Sequence, residues 1–331
     1  MSSTPLLHIK ALGIDLPLDG TLRTVVHRAD VVVPEGAAVA LVGESGSGKS
    51  LTARSVMGLL PRNARINGDV LFAGESVPRM KPARLRAFRA TEVAMVFQDP
   101  RSHINPARSI GDFLIEGLTT TRRVPTAEAA RKVTEILREV GIADADRRMR
   151  QRPHELSGGL LQRVMIAAAL AAEPRLLLAD EPTTALDVTT QEEVMAIIGE
   201  AREARGLSML FITHDLELAT AVCDRVAVMY AGTTVEELPA GRLRGHAAHP
   251  YTRALLASRP SVSDTAAPLR SIPGNPLSGF EAPEGCAFSE RCAHVQDLCR
   301  SDQPQPTSAG DSTVACHFPR TCSAQEAAGH A

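Results

Sequence analysis

Short, continuous apolar runs recur along the first two thirds of the sequence and predict buried β-strands. Four of them show no alternation of apolar and polar residues. Such runs are typical of strands that are covered on both faces of a parallel sheet. The predicted strands are Val39–Gly43, Leu176–Ala179, Met209–Thr213 and Val226–Tyr230.

Segments with helical periodicity lie between these strands. Thr126–Val140 has apolar residues at positions i, i+3, i+4 and i+7, and Gly141 follows it as a helix stop. Further helices are predicted from about Lys49 and over about Ser157–Ala171. The alternation of strands and helices predicts an α/β protein with a helix-rich insertion at about residues 100–170.

Composition excludes several classes of protein. The chain has 331 residues, of which 44% are hydrophobic and 22% charged, and its formal net charge of −2 provides no basic field for nucleic acid. Its aromatic content of 3%, with no Trp, is unlike modules that stack nucleic-acid bases. The longest apolar stretch, Val164–Ala172, is shorter than the roughly 18 residues of a membrane-spanning helix. We therefore expect a cytosolic or membrane-peripheral protein of about two domains.

The segment after the first of these predicted strands matches the phosphate-loop pattern in full. In Gly43–Ser50, backbone N–H groups can surround a β-phosphate, Lys49 can bridge β and γ oxygens, and the Ser50 hydroxyl can bind Mg²⁺. The preceding strand and the following helix favour this interpretation over a flexible Gly/Ser turn. The candidate nucleotide ligands are Gly43, Glu44, Ser45, Gly46, Ser47, Gly48, Lys49, Ser50 and Leu51.

A second candidate phosphate site lies at the start of the helix that follows Ser157. Ser157 can cap this helix, and the first turn, Gly158-Gly159, has no bulky side chain. Unpaired N–H groups and the positive end of the helix dipole then face outward, an arrangement that binds anions. Because the chain already has one phosphate loop, we expect this helix to meet a nucleotide held by a second subunit.

The predicted strand Leu176–Ala179 is followed by two carboxylates. Asp180 could reach Mg²⁺, and Glu181 could orient and polarise an attacking water. Alone, an Asp-Glu pair after an apolar run more often marks a strand-to-turn boundary. The phosphate loop in the same chain favours the catalytic interpretation.

Six motifs, in order over residues 7–240, resemble the nucleotide-binding subunit of ABC transporters. The phosphate loop, the LSGG helix start and the acidic strand end are joined by Gln98 in VFQDP, Ala185-Leu186-Asp187, and His214 in FITHD. The resemblance implies a P-loop ABC nucleotide-binding domain with a RecA-like core, an inserted helical subdomain and an antiparallel β subdomain. It also implies that ATP lies between two such domains, held by the phosphate loop of one and the LSGG helix of the other.

The resemblance assigns roles to residues that would be unremarkable alone. Gln98 would contact Mg²⁺ and the attacking water, Asp187 would interact across the dimer, and His214 would contact the γ-phosphate. The implied catalytic residues are Lys49, Gln98, Glu181 and His214. The implied Mg²⁺ ligands are Ser50, Gln98 and Asp180.

Later segments narrow the resemblance to the oligopeptide, dipeptide and nickel branch of bacterial ABC importers. HINPARSIG after Gln98, DEPTTALDVTTQ and especially His249-Pro250-Tyr251-Thr252 are similar to that branch, as are the IPG, GC and RC segments further on. We therefore expect a nucleotide-binding domain at residues 1–246. A small Cys-rich C-terminal extension is expected at residues 247–331.

The implied assembly contains a second, non-identical ABC ATPase subunit, two transmembrane permease subunits and an extracytoplasmic solute-binding protein, with no nucleic acid. The resemblance implies that this chain lies on the cytoplasmic face of the bacterial inner membrane. There it would hydrolyse ATP to drive the import of di- or oligopeptides. Nickel, opine or another solute stays open, because selectivity lies in the other subunits. A soluble ABC ATPase of chromosomes or ribosomes is disfavoured, because the sequence shows neither a long heptad coiled coil nor a second ATPase domain.

Five of the six cysteines lie in the last 46 residues, and four of them are candidate ligands. Intervals of five, six and sixteen residues lack the short knuckles of structural zinc sites, and a reducing compartment disfavours disulfides. Spacing alone leaves unligated thiols or an iron–sulfur cluster open, whereas the resemblance implies a [4Fe–4S] cluster. Cys322 is left over, and His294 and His317 are alternative ligands. The implied cluster ligands are Cys286, Cys292, Cys299 and Cys316.

The place of an adenine-stacking residue departs from the pattern of the family. ABC ATPases usually stack adenine on an aromatic residue before the phosphate loop, and that place falls near Leu16. The first aromatic residue of the chain is Phe72. We therefore expect adenine to rest on an aliphatic side chain, with stacking weaker by about 1 kcal/mol and weak discrimination between ATP and GTP.

Overall fold

The computed structural model of the chain describes residues 4–184, 186–258 and 271–319. These residues belong to two compact units, each of which is discontinuous in sequence. The first unit draws on Met1–Val32, Ala38–Pro78 and Thr213–Ala331. The second unit consists of Val33–Ala37 and Arg79–Ile212.

The strands are numbered in chain order. They are β1 (Leu7–Leu18), β2 (Thr21–Val33), β3 (Ala38–Val42), β4 (Arg65–Phe72), β5 (Glu75–Ser76), β6 (Val93–Val96), β7 (Leu176–Asp180), β8 (Ser208–Thr213), β9 (Arg225–Tyr230), β10 (Thr233–Pro239), β11 (Thr307–Ala309) and β12 (Ser312–Val314).

The α-helices are numbered in the same way. They are α1 (Lys49–Val56), α2 (Pro82–Thr91), α3 (Ile110–Thr120), α4 (Thr126–Glu139), α5 (Ala145–Arg148), α6 (Gly158–Ala171), α7 (Val188–Arg205), α8 (Leu216–Val222), α9 (Leu243–His246), α10 (Pro250–Ala257) and α11 (Asp297–Ser301). Short 3-10 helices lie at Val77–Arg79, Pro100–His103, Pro153–Glu155, Ala240–Arg242, Gly279–Glu281 and Ser289–Arg291.

The first unit is built on a sheet with the strand order β5-β4-β1-β2-β10-β9-β3. Its β1–β4 and β9–β10 pairs are antiparallel, whereas β3 and β9 are parallel. All five residues of β3 are buried, as a strand covered on both faces requires. Because α1 follows β3 after a short loop, the phosphate loop lies at the carboxyl end of this buried strand, where α/β sheets bind ligands.

The second unit combines a parallel sheet, in the order β6-β7-β8, with helices α2–α7. Helix α6 packs against α3, α4 and α7, and its apolar residues are buried from Leu161 to Ala171 with few breaks. The helix-rich insertion predicted from the sequence corresponds to α3–α6. The predicted α/β class is confirmed, and the four predicted strands match β3, β7, β8 and β9 within about one residue.

The C-terminal residues of the described chain belong to the first unit. Strand β12 pairs with β11 and with β10, so this region extends the sheet of that unit. Strand β10 was not predicted, because buried polar residues such as Thr233, Thr234 and Glu236 interrupt its apolar pattern. Among the described helices, none has both the length and the apolar character needed to span a bilayer.

Candidate nucleotide site and cysteine pocket

The phosphate loop of the first unit is a tight turn between β3 and α1. Gly48 precedes α1 with φ +99°, a left-handed conformation that glycine adopts without a steric penalty. Lys49, which is 5% exposed, donates from Nζ to the carbonyl oxygens of Gly43 (2.9 Å) and Glu44 (3.0 Å). Its ammonium is therefore held by the loop itself.

Ser47 carries a buried hydroxyl that the surrounding protein does not satisfy. The residue is 1% exposed, and within the described chain its Oγ has no hydrogen-bond partner. Buried polar atoms are nearly always paired, so an unpaired one in a candidate site indicates a missing ligand. This hydroxyl fits a phosphate group bound by the loop.

Glu44 is fixed to the C-terminal region by a buried ion pair. Arg291, 8% exposed, donates through Nη1 (2.7 Å) and Nη2 (3.2 Å) to the two carboxylate oxygens, and also to the Tyr230 hydroxyl (3.2 Å). Burial lowers the pKa of Arg291, but the hydrogen bonds to Glu44 and Tyr230 outweigh it, and the net pKa is raised. The Glu44 N–H donates to the Tyr251 hydroxyl at 3.0 Å. The sequence did not predict these contacts of Glu44 with Arg291 and Tyr251.

The HPYT segment, residues 249–252, is largely buried and contains Tyr251, which accepts the Glu44 N–H. His249 caps α10 by accepting the Tyr251 N–H at 3.0 Å, and burial lowers its pKa to about 3, so the imidazole is neutral. The rings of Tyr230, Tyr251 and Phe288 lie 4.6–5.3 Å apart in tilted or edge-on pairs. Glu236 accepts the His249 N–H at 3.2 Å. The segment that indicated the transporter branch is thus a structural support of the phosphate loop.

In the second unit, the acidic strand end brings Gln98 and Glu181 together. Asp180, 1% exposed, ends β7. Glu181 has φ +45°, a strained conformation for a non-glycine residue that is found most often at functional sites. Its Oε2 accepts from Gln98 Nε2 (3.2 Å) and from Thr184 Oγ1 (2.9 Å), which orients the carboxylate.

The LSGG helix start has the geometry of an anion site. Ser157 caps α6 by accepting the Leu160 N–H at 3.4 Å, and both Ser157 and Gly158 are exposed. At Gly159 a Cβ atom would lie 2.8 Å from Thr190 Cγ2, so any larger residue here would displace the Thr190 side chain of α7. The start of α6 is therefore exposed at Ser157 and Gly158, whereas at Gly159 it packs closely against α7.

Asp187 lies beside this turn as the N-cap of α7. Its carboxylate accepts from the Thr190 N–H (3.0 Å) and hydroxyl (2.8 Å), and these hydrogen bonds lower its pKa. Thr190 thus links Asp187 to Gly159 within one unit. Ala185, the first residue of the same motif, lies outside the described residues.

His214 belongs to the first unit, with the phosphate loop. It follows β8 and precedes Asp215, which caps α8 through the Glu217 and Leu218 N–H groups. Its side chain is exposed. The predicted site residues are therefore divided into two subsets, one in each unit. The first unit holds Gly43–Leu51 and His214, and the second holds Gln98, Ser157–Gly159, Asp180, Glu181 and Asp187.

The four cysteines implied as cluster ligands line one pocket of the first unit. Burial, together with the three nearby thiols, raises the pKa of the Cys286 thiol to about 11. The His294 N–H donates to Cys292 Sγ at 3.4 Å. His294 and His317 also line the pocket, whereas Cys322 lies outside the described residues. The four are Cys286, Cys292, Cys299 and Cys316.

Among the residues that the structure describes, no group of three or more His, Cys, Asp or Glu side chains is arranged to hold a metal ion. The four cysteines share the lining of the pocket, and the structure defines no metal site among them.

Comparison with protein families gives two matches that together span most of the chain. The ABC transporter family matches residues 26–184. The C-terminal region of oligopeptide/dipeptide transporters matches residues 235–299. The second match includes the HPYT segment, Arg291 and three of the pocket cysteines.

Curated relatives and solved structures agree with these matches. The oligopeptide transport ATP-binding protein OppD of Salmonella typhimurium is 40% identical over 95% of this chain and 94% of its own. OppD of Escherichia coli is 40% identical over 90% and 89%. A dimeric ATP-binding cassette in a post-hydrolysis state, bound to ADP and Pi, is 25% identical, with a TM-score of 0.63 over 71% of this chain and 98% of that chain. The predicted P-loop ABC ATPase fold is confirmed, and this chain belongs to the ABC transporter family, as an ATP-hydrolysing subunit of the oligopeptide/dipeptide transporter type.

Proposed function

We propose that the chain hydrolyses ATP on the cytoplasmic face of the membrane to drive the import of di- or oligopeptides. One observation carries this function: a phosphate loop and a second phosphate-binding helix start occur in one chain, continued by the C-terminal region of peptide transporters. The relatives favour peptides over nickel or opines. The C-terminal match also disfavours a soluble ABC ATPase without a transport role.

The partners follow from the two phosphate sites. A second ATPase subunit, not identical to this one, presents its own LSGG helix to the nucleotide on Gly43–Ser50, and receives Ser157–Gly159 in return. The exposure of Ser157 and Gly158 supports this arrangement, since a helix start used within the chain would be covered. Two permease subunits and an extracytoplasmic solute-binding protein complete the transporter.

Residues 98–120 of the second unit are the surface we propose for contact with the permeases. Helix α3 runs through this segment and lines a pocket together with α2 and α6. The lining of the pocket includes the apolar side chains of Leu114 and Leu118 and the cationic side chains of Arg89 and Arg122. A short apolar helix with a polar or acidic end fits such a pocket. Movement of this surface with ATP binding would transmit force to the permeases.

We assign the catalytic roles on the basis of side-chain chemistry and, for Glu181, of its hydrogen bonds. Glu181 orients the attacking water, with its own carboxylate held by Gln98 and Thr184. Lys49 and His214 contact the phosphates that develop charge. Ser50 in the first unit would offer Mg²⁺ a hydroxyl oxygen, and Gln98 and Asp180 in the second unit would offer amide and carboxylate oxygens, all of which are ligand types that the ion prefers. When bound, Mg²⁺ neutralises charge on the β and γ oxygens.

Replacing Glu181 with Gln is expected to lower ATP turnover by at least about 100-fold while ATP binding is retained, because water is no longer oriented by a carboxylate. Turnover is measured by phosphate release from the assembled transporter, and binding by calorimetry. The control is Glu192→Gln, an exposed glutamate on α7 of the same unit. Normal turnover in the Glu181→Gln variant would contradict the assignment.

Replacing Ser157 with Arg is expected to abolish ATP-dependent pairing with the second ATPase subunit, because the bulky side chain covers the helix start. ATP binding by this chain alone stays unchanged. Pairing is measured by size-exclusion chromatography with ATP and Mg²⁺ on a hydrolysis-deficient background. The matched control is Ser109→Arg, which removes the N-cap of α3 in the same unit. Equal loss of pairing in both variants would refute a role specific to the LSGG helix.

We further propose that Cys286, Cys292, Cys299 and Cys316 hold a [4Fe–4S] cluster. Four thiols around one pocket, together with an N–H···S hydrogen bond at Cys292, support this assignment. The cluster would have a structural or sensory role, since ATP hydrolysis needs no electron transfer. These four residues belong to the unit that also contains the phosphate loop.

Anaerobically purified protein is expected to contain about four iron and four acid-labile sulfide per chain, measured colorimetrically with the visible absorbance spectrum. Cys286→Ser and Cys316→Ser are each expected to lose most of this content. The control is Cys223→Ser, a buried cysteine that does not line the pocket. Iron-free protein, or equal loss of iron in the Cys223→Ser variant, would overturn the assignment.

A further inference from the structure

Few aromatic rings in the first unit have any surface available to a ligand. Four of its aromatic residues are buried to within 2% exposure. Phe280 is partly exposed, and Phe318 is 39% exposed beside the cysteine pocket. The buried four are Phe72, Tyr230, Tyr251 and Phe288.

Phe280 is tied to the phosphate loop through the residue before it. The Gly279 N–H donates to the carbonyl oxygen of Gly46 at 3.3 Å. Gly279 also lies so close to β2 that a Cβ atom would be 1.8 Å from the Val25 carbonyl oxygen. The backbone next to Phe280 is therefore in contact with both the loop and the strand.

Hydrogen bonds on both sides fix the turn that carries Phe280. His27 Nε2 lies 2.8 Å from the Gly279 carbonyl oxygen. The Glu281 carboxylate accepts from the Ser278 N–H (2.9 Å) and hydroxyl (2.7 Å), closing the 3-10 turn Gly279–Glu281. These contacts hold the backbone of the turn beside β2.

Arg23 covers one face of the ring. Its guanidinium carbon lies 5.3 Å from the ring centroid, and its Nη2 donates to the Phe280 carbonyl oxygen at 3.3 Å. The next residue, Thr24, donates to Asp15 at 2.7 Å, which places the neighbouring Leu16 at the same end of the β1–β2 hairpin. Phe280 thus lies at the end of the hairpin where an adenine-stacking aromatic is missing.

We infer that Phe280, from the C-terminal region, provides the stacking platform for the adenine of ATP in place of an aromatic residue at Leu16. Adenine stacks on the face of the ring opposite Arg23, while its phosphates bind to Gly43–Ser50. Stacking on an aromatic ring recognises the planar base and is independent of the phosphates. The inference rests on nucleotide binding by this loop, and it replaces the expectation of an aliphatic adenine contact.

Because the chain contains no Trp, Phe280→Trp creates a single fluorescent reporter at the proposed site. Saturating ATP is expected to quench this fluorescence, whereas inorganic tripolyphosphate, which has no base, leaves it unchanged. The control is Phe318→Trp, the other exposed aromatic position of the unit, whose fluorescence should respond to neither. Fluorescence of the Phe280→Trp variant that is unchanged by bound ATP would overturn the inference.

Affinity measurements on the Phe280→Leu variant distinguish a loss of base stacking from a change in the shape of the phosphate loop. ATP affinity is expected to fall about tenfold and tripolyphosphate affinity to stay the same, both measured by calorimetry with Mg²⁺. An unchanged ATP affinity, or an equal fall for both ligands, would refute the role of the ring. Failure of the unaltered chain to bind either ligand would instead contradict the nucleotide site itself.

Discussion

A buried ion pair at the phosphate loop is the interaction on which the first unit depends. The Arg291 guanidinium is almost fully covered, and the Glu44 carboxylate balances its charge. Loss of one partner from such a pair leaves an uncompensated buried charge, which costs about 3–5 kcal/mol in proteins. The partners of Glu44 are 207 and 247 positions away in sequence, at Tyr251 and Arg291. The shape of the nucleotide loop is thus set by the end of the chain as much as by its own glycines.

The parts of the fold that the sequence predicted are those whose pattern is local. Strands such as β7 are continuous apolar runs, and α4 begins at the predicted residue and ends one residue before its predicted end. The phosphate loop and the LSGG turn were predicted because backbone geometry and small residues determine them. The structure also brings together Gln98 and Glu181, two of the residues that the family resemblance singled out.

The parts that the sequence did not predict depend on contacts between distant residues. Strand β10 carries Glu236 inward, where its carboxylate accepts from the Ala248 and His249 N–H groups. The apolar pattern of β10 is therefore interrupted, and the sequence does not resemble a buried strand. The sequence shows that no aromatic residue lies near Leu16. However, no local pattern around Phe280 connects this residue with the position near Leu16. Only packing of the C-terminal region on Val25 and Gly46 reveals the connection.

The order of residues in the cysteine pocket has a consequence for communication within the first unit. Cys292 lines the pocket, and the residue before it is Arg291, the cation that binds Glu44. A cysteine of the pocket is therefore the immediate chain neighbour of the residue whose side chain binds Glu44 of the phosphate loop. Because no residue lies between them, a change in the backbone conformation of Cys292 acts directly on the backbone of Arg291.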